Sequence, residues 1–356
     1  MDKLYTNLKK IEEKDGEVEF EAEIPVEVLD EYLKAELAKA AAGFEWPGFR
    51  KGKVPENIVR EHVHEMALVE DAADEVLHDV IPEIAADEKL SVLGRPKLTL
   101  TKIAPKNPLG FKLRFALSPA VILPDYKKIG HEIAKRKQNI EITAKEVDEA
   151  IDRIKTMIPV AGPSKEVAAP PEITDEFVQQ FGPFKTVAEF REEIKRQLEQ
   201  EKELEMKEAR RDELVREIVK HSKVKVPQML IEQEVDDWKD NRAAELEKLG
   251  LTLEKYLEQV KKSETELEKD ARQQIEEQMR TSFVLREIRK AEDIKADDKE
   301  IRQNLALLKQ RYPEQDEAEL ARPAEAIAIQ KKMFDILEDG GPRTEDGMPG
   351  THLKNS

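Results

Sequence analysis

The sequence predicts an α+β domain at the N-terminus followed by an extended, mostly α-helical body. Three observations carry that prediction. Strand-like alternation marks both ends of residues 1–118, with helical periodicity between them. From residue 172 to about 338, apolar residues recur at helical spacing and no strand pattern interrupts them. Charged residues make up 38% of the chain and aromatics only 5%, a balance that suits long helices with wide solvated faces better than one compact globule.

Residues 3–25 read as a β-hairpin, with Lys14-Asp15-Gly16 as its turn. Val18, Phe20, Ala22 and Ile24 alternate with acids, so one face of the second strand is buried. Residues 26–42 turn helical, with Leu29, Leu33 and Leu37 four apart. Pro55 is placed to open the next helix, where a missing N–H costs nothing, and residues 56–87 continue as helix with room for one break. Strands follow at Val92–Ile103 and Gly110–Leu117. Pro119, Pro124 and "VILPDYKKI" make residues 119–142 an extended linker. A capping box, Thr143 to Glu146, starts a short helix that ends by Pro159. The Pro- and Ala-rich residues 158–171 are a connector. Thr186–Ser222 is the longest predicted helix, apolar at both ends and almost wholly charged between, as in an arm that bridges solvent. Further helices are predicted at 227–249, 252–262, 264–291, 296–312 and 317–338, and residues 340–356 are a disordered tail. The division is thus 1–118, a linker with a short helix over 119–171, a helical body over 172–339, and the tail.

Composition excludes several classes. No cysteine means no disulfide and no thiolate chemistry. A net charge of −17 opposes bulk attraction to nucleic acid or anionic lipid. Nowhere do enough apolar residues run together to span a bilayer, and the first residues carry no secretory h-region. The expectation is a cytoplasmic protein with no membrane partner. No catalytic constellation, phosphate loop or ordered set of metal ligands stands out, so neither catalytic residues nor a cofactor nor a metal is expected. The six histidines read as helical surface residues, and the many carboxylate pairs as solvated faces.

One stretch breaks the pattern. "GFEWPGFRKGKVPENIV", residues 43–59, joins two helices yet holds Phe44, Trp46 and Phe49 together with Arg50, Lys51 and Lys53, inside a domain richer in acids than bases. Gly48 and Gly52 bracket Phe-Arg-Lys and permit the turns that project a tip, while Trp46 and Phe44 pin its base. Arg50 and Lys51 oppose full burial. Composition leaves two placements for Phe49: tucked under its own loop, or presented as an interface anchor beside a guanidinium.

"GFRKGKVP", Gly48 to Pro55, resembles the signature loop of the bacterial trigger factor family, chaperones that dock at the ribosomal exit tunnel. "LPDYKKI", "ITAKEVDEAIDRI", "PEITDEFVQQFGPFKTVAEFREEIKRQLE" and "VKVPQMLIEQEVD" are similar to later parts of the same family. The resemblance implies a ribosome-binding N-terminal domain and a helical chaperone body with arms. It implies ribosome contact through Gly48, Phe49, Arg50, Lys51, Gly52 and Lys53, with Arg60 adding charge. The implied partners are the large ribosomal subunit at the tunnel exit, both protein and rRNA, and unfolded nascent chains, with a homodimer when free. ATP is not required. The family's FK506-binding-type prolyl isomerase domain is inserted where this chain has only residues 158–171, so the isomerase is expected to be absent. The rival readings are a prolyl isomerase by family name, and a holdase or assembly chaperone that does not use ribosomes.

Overall fold

The computed structural model describes residues 3–50, 52–136, 140–157 and 173–339. The chain forms two compact units, each from two separate stretches: Met1–Ile122 with Lys223–Glu287, and Leu123–Ser222 with Ile288–Ser356.

The first stretch opens with the antiparallel hairpin β1 (Thr6–Lys14) and β2 (Glu17–Ile24). Asp15 and Gly16 both take positive φ, 58° and 80°, the backbone that a two-residue turn needs to follow the strand twist. In β2, Val18, Phe20, Ala22 and Ile24 are buried, as their alternation predicts. Helices α1 (Val26–Gly43), α2 (Glu56–His62) and α3 (Glu65–Asp87) follow, so the predicted break in 56–87 falls at Val63–His64. Pro55 sits one position before α2, as its N-cap, with φ −57° and ψ 141°. Strands β3 (Val92–Lys102) and β4 (Leu109–Leu117) complete a sheet of order β1-β2-β4-β3. The core lies between one face of that sheet and the helices. Phe20 and Phe115 meet edge to face at 6.3 Å, and Ala72, Val76, Val80 and Ile84 of α3 pack on the same cluster. On the solvent face Arg114 of β4 lies opposite Glu19 of β2 and pairs with it. A two-residue strand, β5 (Val121–Ile122), ends the stretch.

The second unit opens with a correction. Residues 119–142, read from sequence as extended linker, contain a helix, α4 (Tyr126–Ala134), whose N-cap Asp125 accepts the Lys128 N–H at 3.0 Å. Nine residues interrupted by Gly130 are too few to display a helical period in sequence. Helix α5 (Ala144–Met157) begins at the predicted capping box. The Thr143 N–H donates to Glu146 Oε2 at 2.8 Å, and the Glu146 N–H donates back to Thr143 Oγ1 at 3.3 Å. Lys202 adds an ammonium 3.1 Å from the same carboxylate. Helix α6 (Asp175–Val178) is a single turn, and α7 (Val187–His221) is 35 residues long, about 52 Å at 1.5 Å per residue. Its buried residues, Phe190 and Ile194 near one end and Leu214, Ile218 and Val219 near the other, leave the charged middle in solvent.

The capping box gives a pH prediction. The Thr143 backbone N–H, followed by Lys202, draws the Glu146 carboxyl down from 4.5 to about 2. A depressed carboxylate contributes its stability fully above the unfolded value and loses it as pH falls through the folded one. Amide exchange protection in α5 is therefore expected to decline between pH 4.5 and about 2. Glu146→Gln should flatten that decline, and an unchanged profile in the variant would show that another group controls it.

The chain then returns to the first unit. Strand β6 (Lys223–Val224) pairs antiparallel with β5, and α8 (Gln228–Lys248), α9 (Leu253–Val260) and α10 (Glu264–Ala291) follow. Met229 and Leu230 of α8 and Phe283 of α10 pack against Ala116 of β4. The Gln233 side chain accepts the Arg95 N–H at 3.0 Å and donates to the Arg95 carbonyl, and Asp237 pairs with the Arg95 guanidinium at 2.6 Å. Finally α11 (Asp298–Arg311) and α12 (Glu317–Asp339) rejoin the second unit. There α12 packs on α4, with Arg211 of α7 bonded to Glu338 at 2.8 Å and stacked on Phe334 at 4.6 Å. The predicted connector over 158–171 lies outside the described residues, as does the tail over 340–356.

Candidate functional site

The loop between α1 and α2 is built on a small cluster of its own. Leu37 of α1, Val54, Val59 of α2 and Leu68 of α3 are buried together, and Phe44 and Trp46 pack against them. Phe44 and Trp46 stack nearly parallel, 12° between planes at 6.1 Å, and the His62 ring closes on Trp46 at 3.9 Å. His62 Nδ1 lies 2.8 Å from the Ile58 carbonyl. A carbonyl can only accept, so Nδ1 carries the proton, and this bond orients the ring. The aromatic base that the sequence suggested thus has a third member, His62, which a histidine-by-histidine reading misses because the contact spans sixteen residues of loop and helix.

Above this base the backbone makes tight turns. Trp46-Pro47-Gly48-Phe49 is closed by the Phe49 N–H donating to the Trp46 carbonyl at 3.1 Å. Proline second and glycine third, with Gly48 at φ 90°, is the chemistry of a type II turn. The Lys53 N–H then donates to the Arg50 carbonyl at 2.9 Å, and the Gly52 N–H ties back to Phe44 at 3.2 Å. The two glycines differ in what they supply. A Cβ at Gly48 would meet nothing within 4 Å, so only its positive φ requires glycine. A Cβ at Gly52 would sit 2.7 Å from the Ala42 carbonyl oxygen, so both its φ of 69° and the close approach of α1 require it.

Between these turns Phe49 is 44% exposed, large for an aromatic side chain in a folded domain. Arg50 and Lys53 are exposed too, and among the described residues neither forms an ion pair with an acid. Lys51 lies outside the described residues. Arg60, in the last turn of α2, is also exposed. A ring held out by closed turns loses little entropy on docking, and a guanidinium beside it can engage phosphate or carboxylate. Among the described residues no helix is long and apolar enough to cross a membrane.

Comparison with known proteins matches two family models: bacterial trigger factor protein over residues 7–154, and bacterial trigger factor protein C-terminus over residues 186–327. The chain is similar to the trigger factor of Caldicellulosiruptor saccharolyticus, 22% identical over 373 residues, covering 82% of this chain and 85% of that protein. It is similar to the trigger factor of Nocardioides sp., at 23% over 364 residues, covering 80% and 76%. The trigger factor of Clostridium kluyveri aligns over 403 residues at 22%, covering 90% and 93%. That alignment is longer than the 356-residue chain, so the relative holds internal sequence with no counterpart here. The gap between the matched spans, residues 155–185, is too short for another folded domain, which needs about 50 residues. In fold, the chain resembles a solved structure from work on promiscuous substrate recognition in folding and assembly activities of the trigger factor chaperone. The TM-score is 0.57 at 15% identity, covering 94% of this chain and 99% of that one. With both family models matched across most of its length, the chain belongs to the bacterial trigger factor family of ribosome-associated chaperones that work without ATP.

Proposed function

We propose that the loop carrying Gly48, Phe49, Arg50, Lys51, Gly52 and Lys53 is the docking tip by which this chaperone holds the large ribosomal subunit at the tunnel exit. The observation that carries the reading is Phe49, 44% exposed between closed turns, beside cations with no acid partner among the described residues. Against a net charge of −17, such an island is the place where an anionic rRNA and protein rim can attach. The helical body then shields unfolded nascent chains through many weak apolar contacts, which sum when one polypeptide engages several. No catalytic step belongs to this role. Released protein in the cytoplasm pairs as a homodimer.

The test is the combined substitution Phe49→Ala, Arg50→Ala, Lys51→Ala. Co-sedimentation with ribosomes is expected to weaken by about thirtyfold or more, since losing an aromatic anchor and two cations removes about 2 kcal/mol or more. The dependence of affinity on salt should flatten by about two phosphate contacts. Unchanged co-sedimentation would remove the docking role from this loop. Residual prolyl isomerase activity in a proline-limited refolding assay would argue for the enzyme reading instead.

A further inference from the structure

With 44% of its surface in solvent, Phe49 is placed by the backbone that carries it more than by packing of its own ring. Two hydrogen bonds close that backbone. The Phe49 N–H donates to the Trp46 carbonyl at 3.1 Å, and the Gly52 N–H donates to the Phe44 carbonyl at 3.2 Å. Both acceptors belong to residues whose rings meet the His62 imidazole: Trp46 at 3.9 Å with 50° between planes, and Phe44 at 6.5 Å with 45°. One side chain from the last turn of α2 therefore sits against both residues whose carbonyls tie down the tip.

The imidazole is itself held, since its Nδ1–H donates to the Ile58 carbonyl one turn back along α2 at 2.8 Å. Yet it is not part of the core. His62 is exposed, and the buried members of the cluster under the loop are Leu37, Val54, Val59 and Leu68. Phe44 and Trp46 are only half-buried on that cluster. Trp46 also lines an open groove with Glu45, Pro47 and Phe49, so the indole has room to move once its contact with His62 is lost. Only Pro47 and Gly48 separate Trp46 from Phe49, so motion of one is passed to the other.

We propose that His62 is a positioning residue of the docking tip. It steadies the Phe44–Trp46 stack, and through the carbonyls of those two residues it keeps Phe49 and the neighbouring cations in the arrangement that meets the ribosome. The proposal rests on the docking role given to this loop above. His62 does not touch the ribosome in it. Contact between rings is directional, which lets one imidazole restrict the rotation of both neighbours. A tip ordered before docking loses less conformational freedom on binding, so affinity rises without a new contact.

The test uses the full chain with Trp238→Phe throughout, which leaves Trp46 as the one tryptophan and hence the reporter. Ribosome affinity, quenching of Trp46 fluorescence by acrylamide and the urea midpoint of the first unit are measured for the parent, His62→Ala and His62→Phe. His62→Ala is expected to bind ribosomes about fivefold more weakly. Its Trp46 should become more accessible to acrylamide, and its urea midpoint should not move. Phenylalanine keeps a ring face and lacks the nitrogens, so His62→Phe should restore affinity to within about twofold and shield Trp46 again. If His62→Ala binds as the parent does while the combined Phe49, Arg50 and Lys51 substitution abolishes binding, the proposal fails and the docking role stands. If the combined substitution is also without effect, both fail. A loss in His62→Ala that His62→Phe does not repair would mean that the imidazole itself contacts the ribosome, and a lowered urea midpoint in step with affinity would mean general destabilisation; either result overturns the positioning role.

Discussion

Phe111→Ala is expected to destabilise the first unit by about 4 kcal/mol, enough to unfold it under conditions where the parent is fully folded. The ring is completely buried near the start of β4, opposite Ala22 on one neighbour and Leu100 on the other. Neither is placed to fill the space. Ala22 is too small, and Leu100, at the outer strand, is 38% exposed and would have to abandon its rotamer to move inward. The cost is thus the transfer energy of the ring plus an uncollapsed cavity. Leu100→Ala, in the same rung, should cost about 1–2 kcal/mol, well below the ring, because more than a third of that side chain is already in water. Hydrogen exchange adds a sharper outcome. Met229 and Leu230 pack on Ala116 of the same strand, so protection in α8 should fall with that of the sheet, while α4 and α12 keep theirs. If α8 stayed protected when the sheet opened, residues 223–287 would be folding independently.

Gly130→Ala is the second large effect, and two opposing terms decide its sign. Alanine is about 1 kcal/mol better than glycine inside a helix. At this position, however, the new Cβ would lie 1.8 Å from the backbone carbonyl oxygen of Leu337 and 3.8 Å from the Leu214 side chain. A carbonyl in the last turns of α12 cannot rotate away as a side-chain tip would, so α4 and α12 must separate. Overpacking of this kind costs about 3 kcal/mol, and the net loss is about 2 kcal/mol. Urea unfolding of the second unit should move to lower midpoint, and exchange should rise in α4 and α12 first. Full stability in the variant would mean that the helices repack without strain. Replacement of Leu337 cannot rescue the variant, because the clash is with backbone.

The fold was legible where the local pattern and the tertiary environment agree. The alternation of Val18, Phe20, Ala22 and Ile24 survives because each faces one core, and Asp15-Gly16 specifies the turn from within. Thr143 and Glu146 signal a helix start because the bonds they form join residues three apart. Helix α4 was not legible. Its stability comes from α12, about two hundred residues away, and the residue that permits the contact, Gly130, looks locally like a helix breaker. The candidate site divides in the same way. Gly48, Gly52 and the aromatic-cationic composition stand out in the sequence, whereas the closure of His62 on Trp46 and the approach of Ala42 to Gly52 required coordinates.

By itself, the sequence determined the hairpin and its turn, the long α7 with its solvated middle, the loop and its residue types, and the family. These rest on hydrophobic periods and short-range bonds, which neighbouring residues fix among themselves. The tertiary structure alone decided that Lys223–Glu287 joins Met1–Ile122, that α12 closes on α4, and that Phe49 stays 44% exposed. Each of these depends on which surfaces remain after distant segments have packed. Burial is a property of the assembled neighbourhood, and a residue carries no record of it in its own identity.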